Sequence, residues 1–433
     1  MNAANLTADV IIVGAGVIGS SIALELARNG RRVLVLERGP SAGSGSTNAS
    51  SAIIRFHYST WAGAATAWEA KHAWQDWAGH LGGIDPVGMA RYITRGTLVM
   101  DFPGFDSDRV LSLYDRLAIP YERLSGAQVH DRFPEVSSAC HYPPRSLADE
   151  TFWRDPPGTT GAFWTPEGGY VDDPALAAQN LLRAAQRDGA LVLFRTEVTA
   201  VLREPQAVCG VLLGDGRSAH APIVINAAGP HSGRINDLAG AGGDFRVKTR
   251  PLRQEVHSVP DGPSATLRPT VSDGDLGIYF RPSPGGGLLV GGLEPECDPL
   301  VWLDDPDRNS PYPTTAVYEA QTTRLARRLP QTTVPPRPAG IAGVYDVADD
   351  WIPIYDRTAI NGFYVAIGTS GNQFKNAPVV GDILRSLIEA DEAGRHDEQP
   401  VLWSTPRLHL EIDLSHYSRL RTPNPDSSNT VLG

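Results

Sequence analysis

The sequence predicts an α/β protein of two domains, one built around a discontinuous parallel sheet and one α+β domain built on an antiparallel sheet. Three observations lead to this prediction. A glycine-rich turn joins an apolar run to a helix near the N-terminus, strand-and-glycine segments return at residues 221–235 and 362–390, and short runs broken by proline and glycine fill residues 245–300. Because the strand-and-glycine segments lie far apart in the chain, the parallel sheet must be assembled from separate pieces.

Length and charge bound the class of protein. The 433 residues suffice for two domains, and the net charge of −11 without a basic block argues against nucleic acid as a partner. Cys140, Cys209 and Cys297 are widely spaced, which excludes a disulfide framework or a zinc ribbon. Without a basic signal-peptide region or an apolar stretch able to span a bilayer, we expect a cytoplasmic protein, a monomer or small homo-oligomer, with no metal site.

The strongest motif is DVIIVGAGVIGSSIALELARNGRRVLVLERG near the N-terminus. Gly14 permits a tight turn after the first strand, Gly16 lets the backbone approach a pyrophosphate, and Gly19 lets the helix pack on the strand. The helix N-terminus offers unpaired N–H groups to phosphates. Glu37 ends the second strand, where a carboxylate can accept hydrogen bonds from ribose hydroxyls and would repel a 2′-phosphate. The motif therefore predicts binding of a dinucleotide without that phosphate.

One competing motif is GPSAG at residues 39–43, which fits the GxSxG pattern of a hydrolase nucleophile elbow. An elbow must open a helix, and the following SGSTNASS is poor helix-forming sequence. The pattern therefore disfavours a serine hydrolase.

The remaining elements are assigned from periodicity and from glycine and proline positions. They are a tryptophan-rich helix at 60–81, a strand near 97–100, helices near 107–117 and 125–132, a proline- and glycine-rich loop or lid at 146–169, a helix from Pro174 to Gly189 followed by two strands, a strand at 365–367 and a helix beginning near Ala377.

The ordered set of motifs resembles the D-amino-acid oxidase superfamily of FAD-dependent oxidoreductases, nearest its sarcosine oxidase and glycine oxidase branch. The resemblance covers nearly the whole chain. It rests on the dinucleotide motif followed by GSGSTNASSAIIRFHY, GGYVDDPALAAQNLLRAAQRDGALV, INAAGPHS, PLRQEV, GGGLLVGG, AGIAGVYDVADDWIPIYD and GTSGNQFKNAP.

The resemblance implies a discontinuous Rossmann-like FAD-binding domain formed by residues 1–92, 151–244 and 331–433, the last including a C-terminal segment. Residues 93–150 and 245–330 would form the substrate domain. The positions implied to hold FAD are Gly14, Gly16, Val17, Ile18, Gly19, Glu37, Arg38, Ser46, Thr47, Asn48, Ser51, Ala52, Val198, Ala227, Gly229, Ala342, Gly371, Asn372, Gln373, Phe374 and Lys375.

The resemblance also implies the substrate-binding residues. Arg55 and Lys375 occupy the positions of the arginine and lysine that hold a substrate carboxylate, and two cations facing one anion suit such a site. Tyr58, Tyr345 and Tyr279 would be pocket walls or hydrogen-bond donors. His57, two residues after Arg55, is a further candidate for catalysis. From the residues alone, a structural ion pair for Arg55 and a solvated loop position for Lys375 remain open.

Several positions depart from the family pattern. The cysteine that tethers flavin in sarcosine oxidases falls on Gly343, so the FAD should be non-covalent. Leu289 replaces a lysine that helps activate oxygen, which leaves the electron acceptor open. Ala52 replaces a second arginine, and His231 a tryptophan.

The function implied is oxidation of the C–N bond of an amino acid, or of a secondary or N-methyl amine bearing a carboxylate. Hydride transfer to the flavin would give an imine that hydrolyses, with O2 as acceptor and H2O2 as product. The alternatives are a dehydrogenase using another acceptor and a flavin-bearing subunit of a multi-subunit amine oxidase.

Overall fold

The computed structural model describes residues 6–260, 269–395 and 399–432. The helices of these residues are α1 (Val17–Arg28), α2 (Trp61–Gln75), α3 (Trp77–His80), α4 (Ser107–Leu117), α5 (Gly126–Arg132), α6 (Pro174–Arg187), α7 (Ser232–Ala239), α8 (Thr315–Arg328) and α9 (Ala377–Glu392).

The strands, numbered in chain order, belong to five sheets. They are β1 (Leu6–Thr7), β2 (Val10–Val13), β3 (Val33–Leu36), β4 (Ile53–Ile54), β5 (Tyr92–Thr94), β6 (Thr97–Met100), β7 (Glu122–Leu124), β8 (Ala162–Thr165), β9 (Gly169–Val171), β10 (Leu191–Leu193), β11 (Val198–Arg203), β12 (Val208–Leu213), β13 (Ser218–His220), β14 (Ile223–Asn226), β15 (Thr249–Val259), β16 (Thr270–Asp273), β17 (Ile278–Pro282), β18 (Leu288–Gly292), β19 (Val301–Trp302), β20 (Gly340–Ala348), β21 (Ile354–Arg357), β22 (Phe363–Ile367), β23 (Leu402–Ser404) and β24 (Glu411–Asp413).

A six-stranded sheet in the order β10-β3-β2-β14-β22-β21 forms the centre of the cofactor-binding part. Its first five strands are parallel, and β21 is antiparallel. Ile12 and Val35 on one face pack with α1, α6 and α9, whereas Ile11 and Leu34 on the other face pack with the sheet β1-β13-β12-β11. Neighbouring strands come from distant parts of the chain, which confirms the predicted discontinuous α/β sheet.

The glycines at the start of α1 have the predicted steric roles. Gly14 has φ +108°, a conformation that other residues rarely adopt, and a Cβ there would lie 2.5 Å from the carbonyl oxygen of Ala227. A Cβ on Gly19 would lie 2.0 Å from the carbonyl oxygen of Gly14. The absence of a side chain at these two glycines lets β2, α1 and β14 lie close together. The N-terminus of α1 therefore lies at the end of the parallel strands.

The second large sheet has nine strands in the order β19-β15-β18-β17-β16-β6-β8-β7, with β20 paired to β15. All its pairs are antiparallel except β16 with β6, which agrees with the antiparallel sheet predicted for residues 245–300. Phe280 and Val290 pack with Leu325 of α8 on one face. Tyr279 and Arg281 alternate with these residues and lie on the opposite face, toward the cofactor-binding part.

The prediction of a loop or lid at 146–169 was wrong in part. Residues Ala162–Thr165 form β8, an interior strand of the nine-stranded sheet, and residues Glu150–Trp153 form a 3-10 turn. Ala162 and Phe163 are both almost fully buried, on opposite faces of the strand. The run is only four residues long, so its strand character depends on its partners β6 and β7.

The predicted division into domains stays a prediction, but two strands bear on its boundaries. β8 and β20 both lie in the nine-stranded sheet, although the boundaries at 150/151 and 330/331 assign their residues to the cofactor-binding part. The chain therefore stays in the nine-stranded sheet beyond both predicted boundaries. It crosses to the six-stranded sheet later than the sequence indicates.

The close approach at Gly19 gives the first testable prediction. Gly19→Ala should destabilise the protein by about 2 kcal/mol or more, because the new methyl group meets a backbone oxygen that cannot rotate away, and FAD content should fall. Thermal unfolding and the flavin-to-protein absorbance ratio measure both effects. Gly233→Ala is the control, since a Cβ there meets nothing within 4 Å; equal FAD content in both variants would contradict the steric role.

Candidate active site

An elongated cleft opens at the end of the parallel strands. Among its lining residues are predicted cofactor positions from every part of the chain: Gly14, Gly16, Val17, Ile18, Glu37, Arg38, Ser46, Thr47, Asn48, Val198, Ala227, Gly229, Ala342, Gly371, Gln373 and Phe374. Gly19 does not line the cleft. It lies at the contact between α1 and the preceding turn. Ser51, Ala52, Asn372 and Lys375 line a second, adjoining cavity.

The floor of the cleft suits a dinucleotide phosphate. The N-cap of α1 is Gly16, which offers no side-chain cap, and the first turn carries no acidic residue. The N–H of Val17 donates to Thr47 Oγ1 at 3.1 Å, so the threonine closes the approach to the helix end from the side. Backbone N–H groups and a positive helix end in a glycine-lined cleft favour an anionic group here.

Glu37 lies at the predicted place but already has two partners. Its Oε2 accepts a hydrogen bond from the N–H of Ala15 at 2.7 Å, and its Oε1 accepts one from the N–H of Gly39 at 2.6 Å. Because each carboxylate oxygen has further lone pairs, Glu37 can still accept from a ribose hydroxyl. The carboxylate therefore also ties the glycine turn to the loop after β3.

Arg38 belongs to a charged cluster at the rim of the cleft. Its guanidinium contacts Asp307 at 2.5 Å and His231 Nε2 at 2.8 Å, and His231 lies 2.9 Å from Asp307. The hydrogen bond from Arg38 holds the pKa of Asp307 well below its usual range. Sequence reasoning missed Asp307, which is more than 260 residues from its partner Arg38 and has no motif around it.

The second cavity adjoins the cleft beneath the nine-stranded sheet. Ser50, Tyr345, Gly371 and Phe374 line both spaces. A ligand in the second cavity would therefore contact the end of a cofactor lying in the cleft. Arg55 and Lys375 both line this second cavity, so the fold brings together the two cations that the sequence predicts to share one anion.

Arg55 is 6% exposed and, within the described residues, its guanidinium forms hydrogen bonds to carbonyl oxygens and no ion pair. It donates to the carbonyl oxygens of His57 and Val431, the latter at 2.5 Å, and lies 4.9 Å from the centre of the Tyr58 ring. Burial lowers the pKa of its guanidinium. The cation is thus held only by neutral groups, which argues against the alternative of a structural ion pair.

Glu294 is an acidic residue close enough to influence Arg55. Its negative charge favours the charged form of the guanidinium. Removal from water raises the pKa of Glu294 to about 8. Burial thus favours the neutral form of Glu294 and weakens the compensation that this carboxyl group can give Arg55.

Lys375 is 4% exposed, which excludes the alternative of a solvated loop lysine. Its Nζ donates to the carbonyl oxygen of Asn372 at 2.6 Å and to the hydroxyl of Tyr58 at 3.2 Å. Burial, and then the charge of Arg55, hold the pKa of Lys375 well below its ordinary value. Within the described parts of the chain it has no acidic partner either.

The three tyrosines take different positions. Tyr279 and Tyr345 line the second cavity, and the hydroxyl of Tyr279 shares a hydrogen bond of 3.0 Å with Ser51 Oγ. Burial raises the pKa of Tyr345 well above its usual range, so it stays a neutral hydroxyl. Tyr58 contacts both cations through its ring. Its hydroxyl donates to the carbonyl oxygen of Asn372 at 2.9 Å.

His57 lies away from both cavities. It is 2% exposed, its ring centre is 6.3 Å from that of Phe163, and its Nε2 has no hydrogen-bond partner among the described residues. Burial, with the nearby charges of Arg55 and Lys375, holds its pKa well below 6.5. The structure thus places its carbonyl oxygen, rather than its ring, in contact with Arg55.

Sequence reasoning missed several residues of the second cavity. Thr97, Thr270 and Ser272 reach it from strands of the roof, and Val431 and Leu432 reach it from the far end of the chain. The alternation of polar and apolar residues in these strands could have indicated a polar face. No signal in the sequence points to Val431.

Neither a membrane-spanning helix nor a metal-binding cluster occurs among the described residues. No described helix combines the length and apolar character needed to cross a bilayer. No group of three or more histidine, cysteine, aspartate or glutamate side chains there has the arrangement of a metal site.

A dinucleotide cleft that ends at a second, buried cavity is the arrangement of an oxidoreductase that holds its cofactor beside its substrate. Residues 9–387 match the DAO family, described as FAD dependent oxidoreductase. The chain belongs to this family, and it is an FAD-dependent oxidoreductase. The predicted family and cofactor are thereby confirmed.

Comparison with individual proteins agrees with this assignment. The chain is 26% identical to "FAD-dependent oxidoreductase domain-containing protein 1" of Bos taurus over 440 residues, which cover 92% of this chain and 84% of that protein. It is 26% identical to "Sarcosine oxidase subunit beta" of Arthrobacter sp over 398 residues, 89% of this chain and 88% of that protein. The crystal structure of L-proline dehydrogenase from P. horikoshii shares the fold, with a TM-score of 0.73, 21% identity, and coverage of 96% of this chain and 98% of that one.

The lowered pKa of Lys375 predicts how the affinity for a small carboxylate depends on pH. Lys375 is a cation only below that pKa, so the Kd for acetate should increase by about tenfold as pH rises through it, the effect of losing one charge-assisted hydrogen bond. Acetate itself stays ionised from about pH 6 to 9.

The Kd can be measured over this range from the flavin absorbance of the holoprotein. Lys375→Met should bind acetate weakly with a flatter pH dependence, and Lys248→Met, which alters an exposed lysine, should behave as the wild type. A wild-type Kd equal to that of Lys375→Met at every pH would contradict a charge role for Lys375.

Proposed function

We propose that the protein oxidises the C–N bond of an amino acid, or of a secondary or N-methyl amine that bears a carboxylate. The observation that carries this proposal is the pair of buried cations, Arg55 and Lys375, without an acidic partner among the described residues, in a cavity that adjoins the cofactor cleft. Buried charges need compensation, and a substrate carboxylate supplies it.

The protein contributes binding, orientation and electrostatics to this reaction. Arg55 and Lys375 fix the carboxylate, which directs the neighbouring α-carbon toward the residues shared by the two cavities. The positive field around the cations favours the neutral form of the substrate amine, which has the lone pair needed to stabilise the developing imine. Bound FAD supplies a two-electron acceptor for the hydride, and water hydrolyses the resulting imine.

The start of α9 supports a negative charge at one end of the cofactor. Lys375 precedes this helix, whose N-cap is Asn376 and whose first turn carries no acidic residue. A 3-10 turn, Phe374–Asn376, leads directly into the helix, and Gln373 and Phe374 line the cleft. A positive helix end at this position would favour negative charge on the ring as it accepts the hydride.

The final electron acceptor is proposed to be O2, with a different acceptor as the second candidate. Leu289 in β18 stands where related oxidases carry a lysine, so this chain lacks that cation at the roof of the site. The chain is similar in structure to a dehydrogenase and in sequence to an oxidase subunit. The experiment below therefore distinguishes O2 from another acceptor.

The direct test is an anaerobic titration of the purified flavoprotein with amino acids and secondary amines, followed by exposure to air. Bleaching of the flavin by a carboxylate-bearing amine, and not by the same amine without the carboxylate, would support the proposal. Rapid recovery of colour in air with release of H2O2 would indicate an oxidase, and slow recovery a dehydrogenase. A flavin that no such amine reduces would favour a role as a binding subunit.

Arg55→Gln tests the carboxylate site. The substitution should raise the apparent substrate Kd by a factor that corresponds to about 2–4 kcal/mol, as for removal of one partner of a buried charge pair. FAD should remain bound, since Arg55 does not line the cleft. Stopped-flow reduction over a range of substrate concentrations gives the Kd, with Arg95→Gln, an exposed residue, as the control. Unchanged affinity would remove Arg55 from the site.

A further inference from the structure

The segment 424–432 ends at the second cavity, which its residues Val431 and Leu432 line. The N–H of Asn424 donates to Asp350 Oδ2 at 3.2 Å, and Asp426 forms an ion pair with Arg109 at 3.0 Å. Beyond these contacts, the residues up to 430 are exposed or half-buried. Val431 then enters the protein at 8% exposure.

Val431 is held by polar contacts on both sides of its backbone. Its N–H donates to Glu294 Oε2 at 2.8 Å, and its carbonyl oxygen accepts from Arg55 Nη2 at 2.5 Å. Its side chain packs in an apolar cluster with Tyr279 and Leu293, which themselves line the cavity. The segment thus places one backbone carbonyl on the guanidinium that faces the cavity.

We propose that the segment 424–432 is a displaceable gate, in which the carbonyl of Val431 occupies a donor of Arg55 until the substrate carboxylate replaces it. This inference rests on the proposed function, because it takes Arg55 as the carboxylate-binding residue. Glu294 acts as a positioning residue, since it holds the N–H of Val431 and so presents the carbonyl to Arg55.

The balance of contacts allows such a replacement. A carboxylate forms a charge-assisted hydrogen bond with a guanidinium, which is stronger than the bond from a neutral carbonyl. The ion pair of Asp426 with Arg109 joins side chains that are 55% and 45% exposed, so it contributes little to holding the segment. With one buried residue, the segment has the few apolar contacts typical of regions that open locally.

Hydrogen–deuterium exchange of the holoprotein tests the displacement without reference to turnover. Saturating acetate should increase deuterium uptake in the peptide that contains residues 424–432 severalfold, whereas chloride at equal ionic strength should not. Glu294→Ala, which removes the acceptor of the Val431 N–H, should raise uptake before acetate is added, and Glu296→Ala, at an exposed neighbour, should not. Uptake that acetate leaves unchanged would overturn the gate.

A double-mutant cycle separates this inference from the proposed function. Deletion of residues 424–433 should lower the Kd for acetate about five- to tenfold when Arg55 is present, and should have no effect with Arg55→Gln. If Arg55→Gln weakens acetate binding but the deletion leaves it unchanged or weaker, the gate is overturned and the proposed function stands. If Arg55→Gln does not weaken it, both fail. Val431→Gly replaces the deletion if the shortened chain does not fold, with the same expected direction.

Discussion

The candidate site depends on two buried cationic side chains that form no ion pair within residues 6–260, 269–395 and 399–432. Arg55 and Lys375 reach 6% and 4% exposure, and removing a charge from water costs several kcal/mol unless other groups compensate. The protein meets part of this cost with backbone carbonyls of His57, Asn372 and Val431. The proposed carboxylate would meet the rest of this cost.

The surrounding fold holds these charges in place from several directions. The strand β4, paired with β9, directs the chain toward Arg55. The indole N–H of Trp74 donates to the backbone carbonyl of Lys375 at 2.7 Å, and the Trp74 ring stacks on Phe374. The tryptophan-rich helix α2 therefore supports the lysine. Because both cations are fixed by packing, their separation is set before any ligand binds.

Local motifs were the most predictable part of the molecule. The close approach of Gly19 to Gly14 and the helix that follows are local, so they follow from the glycine spacing in the sequence itself. Assignments that depend on distant partners were weaker. β8 reads as a loop because its four residues become a strand only between β6 and β7, and nothing near Arg38 in the chain indicates its pairing with Asp307.

The sequence by itself determined the dinucleotide cleft, the discontinuous parallel sheet and the two residue types suited to a carboxylate. It could not determine that Arg55 and Lys375 form no ion pair with the acids of the described part of the chain, because 49 acidic residues were available to either. Only the tertiary structure decided that both cations share the ring of Tyr58 and that Val431 contacts Arg55. The reason is physical: the energy of a buried charge depends on every group that surrounds it, and those groups come from distant parts of the chain.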